Sequence, residues 1–231
     1  FYAMVIPGTV LFLSFLDFTV TLHKAAAFDV TIPWTFAHGT TTDSDFTGGF
    51  TKTGSVVVPA GQLTAKITPS FPVIGDTTVE ANETFTVTLG TPDKTSVSLS
   101  ATEKVGTSTI TNDDSAVINI ANANQFEPAT GTSKITFDVT LTQPVDVDTT
   151  VTYTLTNVTT SDADFSNLTK TSTLTFLAGS KTPVTPLSFD IASDAVSEPD
   201  ETFTVTLSNP TLAGGVTRNV TVGPAATGTI Q

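Results

Sequence analysis

The chain has 231 residues, 39% of them hydrophobic, including 16 Phe, and only 13% charged; that content excludes a disordered chain, and a polarity carried largely by Thr and Ser suits β-strands. Its 22 acidic against 9 basic residues leave a net charge of −13, which excludes nucleic acid and anionic membrane surfaces as partners of the chain as a whole and favours cations. There is no Cys, so disulfides and thiolate metal sites are excluded too.

Residues 1–16, FYAMVIPGTVLFLSFL, form the one long apolar run. It is short for a membrane span, and Pro7-Gly8 interrupts it. No basic segment precedes it, as a secretory signal requires. We read it as ordinary strand material from a chain cut or processed upstream, the alternatives being a targeting remnant and a strand offered to a neighbour.

The next elements introduce a unit that recurs. FTVTL at Phe18–Leu22 returns as FDVTL at Phe137–Leu141, and VTIPWTF (Val30–Phe36) as TTVTYTL (Thr149–Leu155). In the earlier strand Val30, Ile32, Trp34 and Phe36 alternate with Thr31, Pro33 and Thr35, so Trp34 and its counterpart Tyr153 are core residues rather than a sugar platform. TDSDF (Thr42–Phe46) returns as SDADF (Ser161–Phe165), PAG (Pro59–Gly61) as LAG (Leu177–Gly179), and GTSTI ending at Ile110 as TGTI ending at Ile230. The expectation is two tandem domains, 1–114 and 115–231. Strands in copy two are expected to start near Val117, Ile135, Val151, Ser172, Val184, Phe203 and Val220, separated by Gly, Pro, Asn and Asp. The fold class is all-β: two tandem immunoglobulin-like antiparallel sandwiches of about seven strands each. The equivalent of the first strand, AVINI at Ala116–Ile120, falls before residue 1 in copy one, leaving that copy incomplete.

If each connection reverses direction, the loops after the first, third and fifth strands share one end with the exit of the last strand. That end collects acids. In copy two it holds Glu127, Asp162, Asp164, Asp194, Glu198, Asp200 and Glu201; in copy one Asp43, Asp45, Asp76, Glu80, Glu83, Asp113 and Asp114. Asp76, Glu80 and Glu83 return as Asp194, Glu198 and Glu201. Crowded carboxylates repel one another, and a cation offsets that repulsion. Ca²⁺ fits best, since it takes six to eight oxygen ligands in flexible geometry; zinc wants His or Cys, and copy two has neither.

DTTVEANETFTVTL with the upstream SDF and the closing GTSTITNDD, and in copy two SDADF, SEPDETFTVTLSNP and ATGTI, resemble the Calx-β domain of sodium–calcium exchangers and bacterial surface proteins. The resemblance covers nearly the whole chain. It implies the same seven-stranded sandwich and calcium held by carboxylates of these loops. By position it implies Asp45, Asp76, Glu80, Glu83, Asp113 and Asp114 as ligands in copy one, and Glu127, Asp164, Asp194, Glu198 and Glu201 in copy two. Two positions depart from the family pattern. The early Glu, present as Glu127, falls near Gly8 in copy one, and the terminal acid run Asp113-Asp114 has no counterpart before Gln231.

The functional expectation is a non-enzymatic, calcium-binding structural or adhesive module of an extracellular or cell-surface protein of a prokaryote. Its partners are other copies of the chain or neighbouring tandem domains. The alternative is a self-assembling protomer of a filament, sheath or surface layer joined by strand donation. An enzyme is not expected, because His23 and His38 have no counterparts in copy two and no Ser-His-Asp or Cys-His set is present.

Overall fold

The computed structural model describes residues 4–6, 9–11, 13–194 and 198–231, with side chains from residue 15 onward. The apolar reading at residues 1–3, 7, 8 and 12, and the Gly8 counterpart of Glu127, lie outside the described residues. The chain is all-β, and among the described residues no helix is long and apolar enough to cross a membrane. It divides into two compact units. Unit 1 comprises Phe1–Asp76 with Ala81–Asn112; unit 2 comprises Thr77–Glu80 with Asp113–Gln231.

Unit 2 is a sandwich. One sheet runs in the order Ala123–Gln125, Ala226–Ile230, Glu201–Leu212, Thr149–Asn157, Thr171–Phe176. The other layer holds Thr132–Phe137 paired with Leu187–Ala192, and Val139–Leu141 paired with Ala116–Ile120. Period-two alternation turns Val151, Leu155, Phe203, Val205 and Leu207 inward, where they meet Ile118, Ile135, Phe137 and Ile191; each is 3% exposed or less. Val79 belongs to this core, fully buried, with a bridge to Val145.

Each side of that alternation has a consequence. The outward positions of the large sheet are almost all Thr. Thr152 lies opposite Thr173 and Ser208, Thr154 opposite Thr171 and Thr206, and Thr204 opposite Thr156 and Thr227. Inward, Phe203 lies over Gly228, where an added Cβ would meet its ring at 2.2 Å.

Three strands differ from the sequence reading, each for a backbone reason. The first strand changes sheets: Ala116–Ile120 pairs with Val139–Leu141, and then Ala123–Gln125 pairs in parallel with Gly228–Ile230. At the crossing, the Thr227 N–H donates to the Asn122 side chain at 2.8 Å. The last strand likewise splits into Val220–Val222 and Ala226–Ile230, broken at Gly223-Pro224, where Pro supplies no N–H. The fifth strand starts at Leu187 rather than Val184, because Pro183 and Pro186 remove two ladder donors.

Unit 1 has a four-stranded sheet in the order Val105–Ile110, Glu83–Leu89, Val30–His38, Thr53–Val58. Facing strands Leu13–Leu16 and Thr19–Thr21 pair with Phe71–Ile74 and Thr64–Lys66. Met4–Ile6 and Thr9–Leu11 pair with each other. As the alternation predicts, Val30, Ile32, Trp34 and Phe36 face inward, 0%, 1%, 2% and 8% exposed. The core is aromatic: Phe36 has Phe46, Phe50, Phe71 and Phe85 at ring-centroid distances of 5.0–5.6 Å. Trp34 lies over Gly54, where a Cβ would approach its Cζ2 to 2.6 Å. Tyr153, the counterpart of Trp34, is half-buried and edge-on to Phe189 at 5.8 Å.

Candidate metal centre

The two acids of each loop after the third strand are sorted by a short 3-10 turn. In copy two the turn is Asp162–Asp164, opened by Ser161. The Ser161 N–H donates to Asp164 Oδ2 at 2.5 Å, and the Ala163 N–H donates to the Ser161 hydroxyl at 3.2 Å. The turn leaves Asp162 facing Lys170 at 2.5 Å and the Asn157 amide at 2.7 Å. Those partners, Lys170 first, hold the Asp162 carboxyl below its ordinary value. Asp164 instead faces the other acidic loops.

Copy one repeats the device. The Thr42 N–H donates to Asp45 Oδ2 at 2.5 Å, while Lys52 at 2.5 Å and His38 at 2.8 Å take up Asp43 and lower its pKa. His38 therefore occupies the place of Asn157 as a partner for the first acid of the turn. The sequence reading missed these neutralising partners. Their signal was a Lys at the start of the fourth strand in both copies.

Three loops converge in unit 2. Glu127, after the first strand, accepts the Asp194 N–H at 2.7 Å, tying its loop to the one before the sixth strand. Asp164, Glu198 and Glu201 each bring a carboxylate oxygen within 4.8 Å of the other two. Glu127 and Asp194 line the same pocket with Ala163, Ile191 and Ile230, around a space of about 20 Å³, the room of roughly one water-sized sphere. Burial first, then the charges of Asp194, Asp164 and Glu127, raise the Glu198 pKa. For Glu201 burial again comes first, followed by the charge of Asp164, a hydrogen bond with it, and the charges of Glu198 and Asp194. Five carboxylate side chains, with no Lys or Arg lining the pocket among the described residues, form a hard-donor set. Such a set fits Ca²⁺ in donor type and number.

The residues implied for copy one are distributed differently. Asp45, Asp76 and Glu83 belong to unit 1, and Glu80, Asp113 and Asp114 to unit 2. Within unit 2 the Arg218 side chain, 10% exposed, donates to both Asp146 oxygens at 3.0 and 2.7 Å. That pairing first, and the charge of Glu80 last among the causes, raise the Arg218 pKa.

Fold and pocket together define a pair of immunoglobulin-like sandwiches whose second member has an acidic end. The chain belongs to the Calx-beta domain family, which matches it twice, over residues 14–116 and 112–230. Among solved structures it is similar to CBD12 from CALX1.2, at 18% identity over 93% of this chain and 92% of that one, with a TM-score of 0.38. It is also similar to the calcium binding domain CBD12 of CALX1.1, at 16% identity over 93% of each chain, with a TM-score of 0.39. The apo form of Calx CBD1 shows 21% identity over 49% of this chain and 96% of that one, with a TM-score of 0.38. At these scores none of the three bears on the site. No curated protein matches the chain.

Proposed function

We propose that this chain is a non-enzymatic calcium-binding structural module of an extracellular or cell-surface protein of a prokaryote, used for adhesion or spacing. The observation that carries the reading is the convergence of Asp164, Glu198 and Glu201 within 4.8 Å, with Glu127 and Asp194 lining the same space. Without a cation this arrangement is self-repelling, and the folded unit holds protons on Glu198 and Glu201 more tightly than ordinary glutamates do. A divalent ion offsets that repulsion and ties the loops after the first, third and fifth strands together.

The same chemistry extends to copy one, where Asp45, Asp76, Glu80, Glu83, Asp113 and Asp114 are the ligands carried over from the family pattern. Asp114 stands two residues before Ala116, the first residue of the next domain's opening strand. Calcium there stiffens the joint between the domains, which suits an array that bears load outside the cell.

Calorimetric titration of the full chain with Ca²⁺ and separately with Mg²⁺ tests the reading. Calcium binds with measurable heat, and magnesium, which demands stricter octahedral geometry, binds more weakly. No heat with calcium, or no loss of it in Glu198→Gln with Glu201→Gln, refutes a calcium site at this pocket.

A further inference from the structure

The loop that leaves the strand Thr149–Asn157 in unit 2 closes on a single carbonyl. The N–H groups of Val158, Thr159 and Thr160 all donate to Thr202 O, at 3.1, 2.9 and 3.2 Å. The Thr202 N–H in turn donates to the Thr159 hydroxyl at 2.7 Å. Thr202 directly follows Glu201, and Thr160 directly precedes Ser161, which opens the turn carrying Asp164. Two of the three converging acids are therefore joined through one short hydrogen-bonded path.

Thr160 is the centre of that path. It is 7% exposed, and among the described residues the buried polar side chains are Thr41, Thr149 and Thr160. Its hydroxyl lies 3.3 Å from Thr202 O and 3.3 Å from Asn157 Oδ1, and it shares its one proton between them. The Asn157 amide passes the contact on to Asp162 at 2.7 Å, the acid that Lys170 also holds. Burying a hydroxyl is costly unless it is hydrogen-bonded, and Val would fill this place with no polar group to satisfy. The hydroxyl is explained by what it holds, not by the core.

Copy one builds the same junction. Gly39, Thr40 and Thr41 donate their N–H groups to Thr84 O at 2.9, 3.0 and 3.3 Å. The Thr84 N–H donates to the Thr40 hydroxyl at 2.8 Å, and Thr41, 4% exposed, donates its hydroxyl to Thr84 O at 3.3 Å. Thr84 follows Glu83 as Thr202 follows Glu201, and Thr41 precedes Thr42, which opens the turn carrying Asp45. Between the copies Gly39 stands for Val158 and His38 for Asn157, whereas both loop threonines and the acceptor threonine are kept. What recurs is the part that ties the two acidic segments together.

We propose that Thr160 is a positioning residue for the acidic pocket of unit 2: through Thr202 and the Ser161 turn it fixes Asp164 against Glu201 before any ion arrives. The inference rests on the calcium reading above. Like-charged carboxylates within 4.8 Å of one another push their segments apart, and the Thr202 junction resists that push. Calcium affinity depends on site rigidity as well as on ligand charge. Groups that orient metal ligands without touching the metal contribute about 10–100-fold to affinity. Thr160 is not among the residues lining the pocket, so its whole effect on an ion passes through the backbone it holds.

The test titrates the full chain with Ca²⁺ by calorimetry and follows the heat that Glu198→Gln with Glu201→Gln removes. Thr160→Val keeps the shape of the side chain and deletes its hydroxyl, and it weakens that binding by about tenfold. Its melting curve in chelator stays close to wild type, because Thr202 O retains three N–H donors. Thr160→Ser keeps the hydroxyl and restores wild-type affinity. Thr159 is exposed, so Thr159→Val removes the other half of the junction without touching the core and also weakens binding; it decides the matter if the Thr160→Val chain does not fold. A wild type that binds no calcium fails the calcium reading and takes this inference with it. A wild type that binds, with both Val variants at its affinity, overturns the inference alone. So does a Thr160→Val chain that melts lower in chelator at unchanged affinity, which makes Thr160 a loop brace and nothing more. A Thr160→Ser chain as weak as Thr160→Val overturns it too, placing the effect in packing rather than in the hydroxyl.

Discussion

Replacing Glu201 by Gln separates the two things its carboxylate does. Glu201 opens the strand Glu201–Leu212, is half-buried, and is crowded by Asp164, Glu198 and Asp194. In chelator, Glu201→Gln removes one charge from a repelling group at constant shape, so the variant melts higher than wild type. In calcium the order reverses. An ion at about a hundred times its Kd adds roughly 2.7 kcal/mol to the folded state by mass action. Unit 2 comprises Thr77–Glu80 and Asp113–Gln231. With an unfolding entropy of about 2.1 cal/mol/K per residue over that length, the gain corresponds to a rise of roughly 10 °C in Tm. Wild type should show that rise and Glu201→Gln only a small part of it. Differential scanning calorimetry reads the whole chain, and Trp34 emission identifies the transition of unit 1. Superimposable wild-type curves in calcium and chelator would refute the reasoning, as would a variant that keeps the full rise.

Three further outcomes follow from the same geometry. Glu198 and Glu201 have pKa values raised above the ordinary 4.5, so the stability they contribute is fully present below that value and is lost as pH rises through their folded values. Asp43 and Asp162, lowered from 3.8 by their Lys partners, act oppositely and lose their contribution only as pH falls below 3.8. The metal-free chain therefore melts highest in mild acid, and calcium abolishes the decline toward neutrality; a Tm series in chelator and in calcium checks both signs. Gly54→Ala places a Cβ 2.6 Å from the Trp34 ring and costs about 1–3 kcal/mol by overpacking, read from urea unfolding followed at Trp34. Asp113→Asn with Asp114→Asn makes the interdomain distance distribution in small-angle scattering insensitive to calcium, while Asp194→Asn leaves that response intact; a calcium response surviving the double substitution dismisses the joint as a calcium clamp.

Most of the architecture was legible because period-two alternation and a repeated vocabulary act together. Val30, Ile32, Trp34 and Phe36 announce an inward face, and the matching Thr149–Leu155 segment repeats it. What alternation does not record is a change of sheet. Val117–Ile120 and Ala123–Gln125 look like one strand until Asn122 supplies a side-chain acceptor in mid-course, and a Pro pair delays the fifth strand to Leu187. Of the metal residues, loop position alone indicates that Glu127, Asp164 and Asp194 lie at one end. It does not distinguish Asp164 from Asp162, because the separation depends on where Lys170 reaches across from the next strand. The split of copy one's implied ligands between two compact units was beyond sequence reasoning, which assigned residues 75–90 wholly to the first repeat.

The Thr rows on the outer sheet of unit 2 bear on how such molecules crowd together. Thr150–Thr156, Thr171–Thr175, Thr202–Ser208 and Thr227–Thr229 contain no charged residue, although the chain carries −13. That flank is a carpet of methyl and hydroxyl groups at sheet spacing, about 4.8 Å from strand to strand. It sets up no field of its own for added salt to screen, and screening reaches only some 8–10 Å at ordinary ionic strength. Lateral approach along this flank is therefore indifferent to ionic conditions, whereas approach to the acidic end is governed by them. At high protein concentration, divalent ions would act on one direction of approach and leave the other to hydration.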